Sequence, residues 1–276
     1  MNSVPKRTNG FQTQPFIFFP LPRTNVGNIF TRTISGVSCS YMCPHGVLYK
    51  AIDRRWLEIV TTLAKTQGSH IELGGVTEAL RRYGMTSQSR YILPTRKALE
   101  RVASLHVSIS RNAEVKGFKA VQGLDFSISE EHQVLWARGR TDLVEPELLD
   151  RLNFIDLSNG FMKVVANAVP HIQEQYMDIR SPLTLDLYQW VILKLHDLKQ
   201  EQLVRWPALY AQFGDGGKLN TSQMKDLRRK LKAALYQVRY NYYEAAQITH
   251  TDEGIILKPS PPLVEPDDKR AGYSLA

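Results

Sequence analysis

Apolar positions recur every three or four residues over several long stretches of the chain and alternate over shorter ones. Between Leu219 and Tyr240, Met224, Leu227, Leu231, Ala234, Leu235 and Val238 share one stripe of a helix wound at about 100° per residue. Lys225, Arg228, Arg229, Lys232 and Arg239 fall on the adjoining stripe with Tyr236 among them, while Asp226, Lys230, Ala233 and Gln237 face away. One side is predicted to be buried and its neighbour carries the charge to meet an anion. From this helix alone, a solvated surface helix and a helix that enters the DNA major groove are equally open readings.

Its neighbours favour the second. After it, Gln247–Thr251 alternates, Asp252-Glu253-Gly254 turns and Ile255–Lys258 returns, which predicts a β-hairpin. Before it, Ser181-Pro182 reads as a helix start. Leu183, Leu185, Leu187, Trp190, Val191, Leu193 and Leu195 make that helix apolar nearly all round, so it is expected in a core. A compact helix, Trp206–Phe213, comes between. Helix, helix, basic helix, hairpin is the order of a winged helix-turn-helix, whose third helix reads DNA while the wing touches the backbone beside it.

The first half follows a similar pattern. Phe30–Tyr41 reads as a strand or hairpin turning at Ser35-Gly36, and Leu48, Ile52, Trp56, Ile59, Val60 and Leu63 mark a helix that Gly68 stops. Ile71–Leu73 is a short strand, Gly74-Gly75 turns into a helix over Val76–Tyr83, and Gly84 caps it. A third helix reaches about Ser104, and Pro94 places its start near Leu93. Strands are predicted over His106–Ser110, Phe118–Ile128 and Gln133–Arg138. Ser158-Asn159-Gly160 predicts a hairpin between Phe154–Leu157 and Phe161–Val165. Pro170–Arg180 reads as a polar connector with one or two helical turns.

The halves also share a local signature. Tyr83-Gly84, then Thr86-Ser87-Gln88, then a helix with Arg96, Lys97 and Arg101 matches Phe213-Gly214, then Thr221-Ser222-Gln223, then the basic helix. This predicts an internal duplication. The expected class is α+β with two tandem winged-helix domains. Residues 1–28 are expected as a flexible tail holding Lys6, Arg7 and Arg23. Residues 29–169 would form a first domain for dimerisation or DNA binding, 170–260 a second for DNA binding, and 261–276 a flexible end. Candidate DNA contacts are Ser222, Gln223, Lys225, Arg228, Arg229, Lys232, Tyr236 and Arg239 in the second half. In the first they are Ser87, Gln88, Arg90, Arg96, Lys97 and Arg101.

Composition narrows the partner. The 276 residues carry a net charge of +8, and 43% are hydrophobic, enough for two cores and a polyanionic partner. No stretch approaches the roughly twenty apolar residues of a membrane span, and Phe16–Phe19 is short and bracketed by Pro15 and Pro20. A cytoplasmic location is expected, and two cysteines fit a reducing compartment.

Candidate chemistry changes little. Cys39, Cys43 and His45 supply only three ligands at an unusual spacing, so no metal is expected. Gly216-Gly217-Lys218 lacks the following Ser/Thr and the preceding strand of a phosphate loop, and reads as a loop between helices. Tyr240, Tyr242 and Tyr243 invite a DNA-nicking role, but such nickases need a metal cluster and no paired histidines are present. These tyrosines are expected to pack between the basic helix and the wing or to touch phosphate. Trp56 and Trp190 are read as core. No enzymatic activity and no cofactor are expected.

Taken in order, several segments resemble the RepA-type plasmid replication initiators. In the first half these are Phe30–Thr33, Pro44-His45-Gly46 with Tyr49, and Trp56 through Thr61-Thr62 to Ile71–Gly74. In the second they are Ser181–Tyr188, Trp206 with Phe213-Gly214, Asp226–Arg229, and Thr251–Gly254 running into Leu257–Pro261. Lys50 departs from the glycine expected after Tyr49. The resemblance implies tandem winged helices that bind repeated sites (iterons) in double-stranded plasmid origin DNA, help melt it and recruit the host helicase. It also implies contact with the host initiator, exchange between monomer and homodimer, and no membrane. A transcriptional repressor, or an origin-nicking enzyme using a tyrosine, are the alternatives.

Overall fold

The computed structural model describes residues 8–115, 118–134, 153–215 and 219–264. The chain is α+β. Its buried apolar residues fall into two clusters, one drawn chiefly from Phe16–Val165 and the other from Val169–Leu257.

The chain starts with a correction. Within the predicted flexible tail, Asn9–Gln12 is a strand (β1) and Gln14–Phe18 a short helix (α1). β1 runs antiparallel to β9, Val169–Ile172, with Asn9 opposite Ile172. Phe11, Phe16, Ile17 and Leu21 are buried, so hydrophobic burial holds this segment although its own sequence has no periodicity. β9 is buried along its length, so the expected polar connector begins as a core strand and continues as a helix, Gln173–Asp178.

In the first cluster, β2 (Ile29–Ile34) and β3 (Val37–Met42) form the expected hairpin. Its two-residue turn uses Ser35 at φ 49° and Gly36 at φ 80°, the left-handed pair such a turn requires. The helix α2 (Ala51–Gln67) buries Trp56, Leu57, Ile59, Val60 and Leu63, and Gly68 ends it at φ 102°. β4 (His70–Glu72), α3 (Val76–Arg82) and α4 (Ser89–Ala103) follow.

α4 begins four residues before the expected start, and Pro94 lies inside it. The proline sits within the first two turns, so its missing N–H costs one bond, to the carbonyl of Arg90, and the helix continues. β5 (His106–Val115) and β6 (Phe118–Ser127) complete an antiparallel sheet in the order β2-β3-β5-β6. β7 covers Ser129–Gln133 where a strand over Gln133–Arg138 was expected, and residues 135–138 lie outside the described set. After β8 (Phe154–Leu157) the predicted hairpin is replaced by a helix, α5, Asn159–Val165. Ser158 caps it by accepting the Phe161 N–H at 3.0 Å, which turns a hairpin signal into a helix start.

The second cluster follows β9 with α6 (Gln173–Asp178) and α7 (Pro182–His196), capped by Ser181 and buried on nearly every face, as expected. β10 (Gln202–Arg205), α8 (Trp206–Phe213), α9 (Thr221–Gln237), one π-helical turn over Val238–Tyr242, and the hairpin β11 (Gln247–His250) and β12 (Gly254–Lys258) complete it. The order α2, β4, α3, α4, hairpin is thus repeated as α7, β10, α8, α9, hairpin. The strand pairing is not repeated. β10 joins its own hairpin in the order β10-β12-β11, whereas β4 pairs with β8 and the β5-β6 hairpin extends β2-β3.

Four arginines of the first half reach the second among the described residues, and one of them, Arg23, pairs with Asp215 at 3.0 Å. Arg54 donates to both carboxylate oxygens of Asp186 on α7, at 2.7 and 2.9 Å, with both side chains buried. Arg32 donates to the Gly214 and Ala211 carbonyls at the end of α8, and Arg55 to the Ile179 carbonyl. Nearby, Glu58 lies 3.1 Å from His171 on β9 and accepts from Thr62 and Gln173. Gly10 passes so close that a Cβ there would collide with Glu58 Oε1 and stand 2.7 Å from His171 Nε2. Gly10→Ala is therefore expected to cost about 1–3 kcal/mol in denaturant unfolding, as overpacking does. An unchanged midpoint would mean the tail strand is not seated there.

Candidate nucleic-acid interface

The local sequence defines the start of α9. The Asn220 side chain accepts from Gln223 N at 2.8 Å and the Gln223 side chain accepts from Asn220 N at 2.9 Å, a reciprocal capping box. Gln223 therefore positions the helix end. Asn220→Ala is expected to lower stability by about 1 kcal/mol, measurable as a shift in the unfolding midpoint.

The predicted stripes are present. Leu227, Leu231, Ala234, Leu235 and Val238 are buried, and Ser222, Lys225, Arg229 and Tyr236 are exposed. Asp226 bonds Lys230 and Arg229, each at 2.7 Å, and those two bonds hold its carboxyl below the usual range. Arg229 remains 74% exposed, and a surface pair of this kind leaves its guanidinium available to a phosphate.

Arg228 has a different task from the one expected of it. It donates to the Thr251 and Asp252 carbonyls at 3.1 and 3.3 Å and lies over the Trp206 ring, 4.6 Å from its centre. Lys232 reaches the same ring at 5.7 Å. Trp206 is buried, and its indole N–H donates to the Thr251 carbonyl at 3.3 Å. Helix, tryptophan and wing turn are one unit, with Arg228 as its fastening. Gly254 completes the turn where its Cα runs against the Val204 and Arg205 backbone, with no room for a Cβ.

Further along, Arg239 donates to the Ile248 carbonyl of the wing at 3.4 Å, which also turns it from a free contact into a brace. Tyr236 and Tyr240 lie against each other with ring centres 4.3 Å apart and planes tilted by 39°, and remain 61% and 49% exposed. On the wing, burial followed by Lys232 and Arg239 pushes the His250 pKa down, a sign that the cationic field continues from helix to wing. The exposed surface so formed carries Ser222, Lys225, Arg229 and Tyr236, with the half-buried Lys232 at its edge.

The first half presents less. Arg101, expected as a contact, is buried against the Asp53 carboxylate of α2, so it is a core residue. Asp53 is fully buried and needs that partner, because an unpaired buried carboxylate is costly. Arg96 pairs with Glu100 at 2.8 Å. Lys97, Gln88 and Arg90 are exposed, Ser87 is half-buried, and Arg90 lies over the Tyr91 ring at 5.0 Å.

A cleft of about 1060 Å³ opens where α3 turns into α4, lined by Arg55, Arg81, Arg82, Arg90 and Arg180. Glu174 and Asp178 also line it, but accept from Thr8 N and the Tyr242 hydroxyl. Of these arginines only Arg90 was a sequence candidate; Arg55, Arg81, Arg82 and Arg180 were missed because they come from α2, α3 and the segment before α7 and share no single helix face. The Arg81-Arg82 pair ending α3 was the only local signal.

The residues that raised other chemistry are accounted for. Burial pushes Tyr243 up to about 12, and its hydroxyl donates to the Pro261 carbonyl at 2.6 Å. Pro261 lies in the segment expected to be a flexible end, of which residues 265–276 fall outside the described set. Tyr242 is raised by burial and by its bond to Asp178. Cys39 and Cys43 are buried, and burial pushes Cys39 up to about 12. Among the described residues no three His, Cys, Asp or Glu side chains gather as metal ligands, and no helix is long and apolar enough to cross a membrane. The Gly216–Lys218 loop lies outside the described residues.

No family model matches this sequence, and no curated protein matches it. Solved structures do. Domains 2-3 of RctB, RctB-155-483, superimpose with a TM-score of 0.53 at 10% identity, covering 87% of this chain and 94% of that one. A selenomethionine derivative of RctB domains 2 and 3 gives 0.49 at 13% identity, over 92% and 97%. At such identity the likeness is one of fold: this chain is built like domains 2-3 of RctB.

Proposed function

We propose that this chain is a DNA-binding replication initiator without catalytic activity of its own, with α9 and its wing as the principal reader. The observation that carries this reading is the α9 unit. Its exposed face presents Lys225, Arg229 and Tyr236 with the half-buried Lys232 beside them, while Arg228 and Trp206 tie the wing alongside. A basic helix with a wing fixed at its flank suits a major groove and the adjoining phosphates. The halves act as tandem winged helices, the first contacting DNA through Arg90, Lys97 and the arginine-lined cleft. Two further facts support the reading. The ordered segments resemble plasmid initiators, and the repeated order of elements is carried on a fold shared with domains 2-3 of RctB. On this reading the DNA is a plasmid origin with iterons, opened by the bound protein and handed to the host helicase.

The test is genetic. The gene with its flanking DNA should sustain an otherwise replication-dead plasmid, and Lys225→Ala/Arg229→Ala/Lys232→Ala should abolish this. Replication that needs no intact α9 would refute the proposal. Incubation with supercoiled origin DNA and magnesium should give no covalent protein–DNA adduct, and an adduct would make the protein a nicking enzyme.

A further inference from the structure

A second surface has a different chemistry. A groove of about 900 Å³ runs between the two halves, and none of its lining residues lies on α4 or α9. Phe18 of α1 and Phe19 just after it, Leu124 of β6 and Leu203 and Val204 of β10 supply an apolar lining, with the buried Trp190 of α7 beneath it. Leu124 and Leu203 are 41% and 38% exposed, more than isolated core residues would be. Both strands stand at the end of their sheets in strand order.

The polar rim has one sign. Arg111, Lys163, Lys194 and Arg205 line the groove and no carboxylate does. Among the described residues none of the four is ion-paired: Arg111 donates only to the Gln122 amide, at 3.0 Å, and Lys194 stands 5.9 Å from the Phe18 ring. Lys194 is half-buried, and burial lowers its pKa. A half-buried cation without an anion is costly, and the partner that would relieve it is a carboxylate. Nucleic acid would satisfy the cations but leave the apolar lining exposed. An uncharged apolar ligand would do the reverse.

We propose that this groove is a docking site for an acidic amphipathic segment of a partner protein, with apolar side chains on the Phe18–Leu124–Leu203 lining and carboxylates on Lys194, Lys163, Arg111 and Arg205. Because the lining comes from both halves, the bound segment bridges them. The proposal does not depend on the DNA-binding reading.

The test uses the full chain and two labelled synthetic peptides of leucine and glutamate, one patterned for a helix and one alternating as a strand. Fluorescence anisotropy should show saturable binding of at least one. Binding should weaken as salt rises and fall about tenfold or more in Lys163→Glu/Lys194→Glu. Arg111→Glu/Arg205→Glu provides an independent pair should the first fail to fold. A matched peptide with lysine for glutamate should bind the reversed variants better than the wild type. Affinity unchanged by charge reversal, equal binding of the lysine peptide to the wild type, or no saturable binding would overturn the proposal. So would self-association of the wild type lost in the reversed variants, which would make a second copy the occupant. DNA affinity should be retained in the reversed variants, so this test and that of α9 fail independently.

Discussion

Lys225→Ala/Arg229→Ala/Lys232→Ala is expected to lower affinity for duplex DNA by roughly a hundredfold at about 0.15 M salt. Three phosphate contacts correspond to about 2.7 units of slope in log K against log salt, and that slope gives the loss at this salt. The slope itself should flatten by the same amount. Stability should change by no more than about 0.5 kcal/mol at each of the exposed Lys225 and Arg229, and by about 0.5–1 kcal/mol at Lys232, which rests on the Trp206 ring. Arg228→Ala should behave differently. It releases the wing turn from the helix and uncovers the Trp206 ring, so stability should fall by about 1–3 kcal/mol together with affinity. Titration at several salt concentrations beside thermal unfolding separates the two. Equal behaviour of Arg228 and Arg229 would contradict the division between fastening and contact.

The largest stability effect is expected at the junction. Arg54→Ala leaves the Asp186 carboxylate buried and unpaired, and should cost about 3–5 kcal/mol. For a chain of this size that corresponds to a fall of roughly 10 °C in Tm. Arg54→Met/Asp186→Leu should recover most of it, because an apolar pair of similar volume carries no charge to desolvate. Arg54 also donates to the Leu21 and Pro22 carbonyls, so the single variant frees the N-terminal segment as well. If calorimetry shows Arg54→Ala within 1 °C of the parent, the ion pair is not closed in solution.

The second half was legible in the sequence because its signals are local. Ser181-Pro182, the α7 and α9 stripes and the Asp252–Gly254 turn each decide their element within a few residues. What escaped depends on distant partners. Phe11 and Ile17 gain their burial from β9 and α7, more than 150 residues on; the short aromatic run Phe16–Phe19 signals a segment able to dock, but nothing between Met1 and Asn28 says where. Ser158-Asn159-Gly160 fits a hairpin turn and a helix cap equally, and Phe161 and Val165, buried four apart, select the helix. Arg101 lies on a helix with other basic residues, and only the fold brings Asp53 against it. The same applies to the site: the exposed stripe of α9 was readable, but the diversion of Arg228 and Arg239 to the wing required the hairpin in place.

On the proposed reading, one chain reads DNA with α9 and touches it again through the first half. Hydroxyl-radical footprinting of the monomer on duplexes selected from a random pool tests this directly. The account predicts protection over about two helical turns, with two half-sites roughly 10 base pairs apart. The half-sites should differ in sequence because α4 and α9 carry different exposed residues, and Arg90→Ala/Lys97→Ala should erase only the weaker one. Protection confined to a single turn, or a palindromic site that needs two chains, would contradict it.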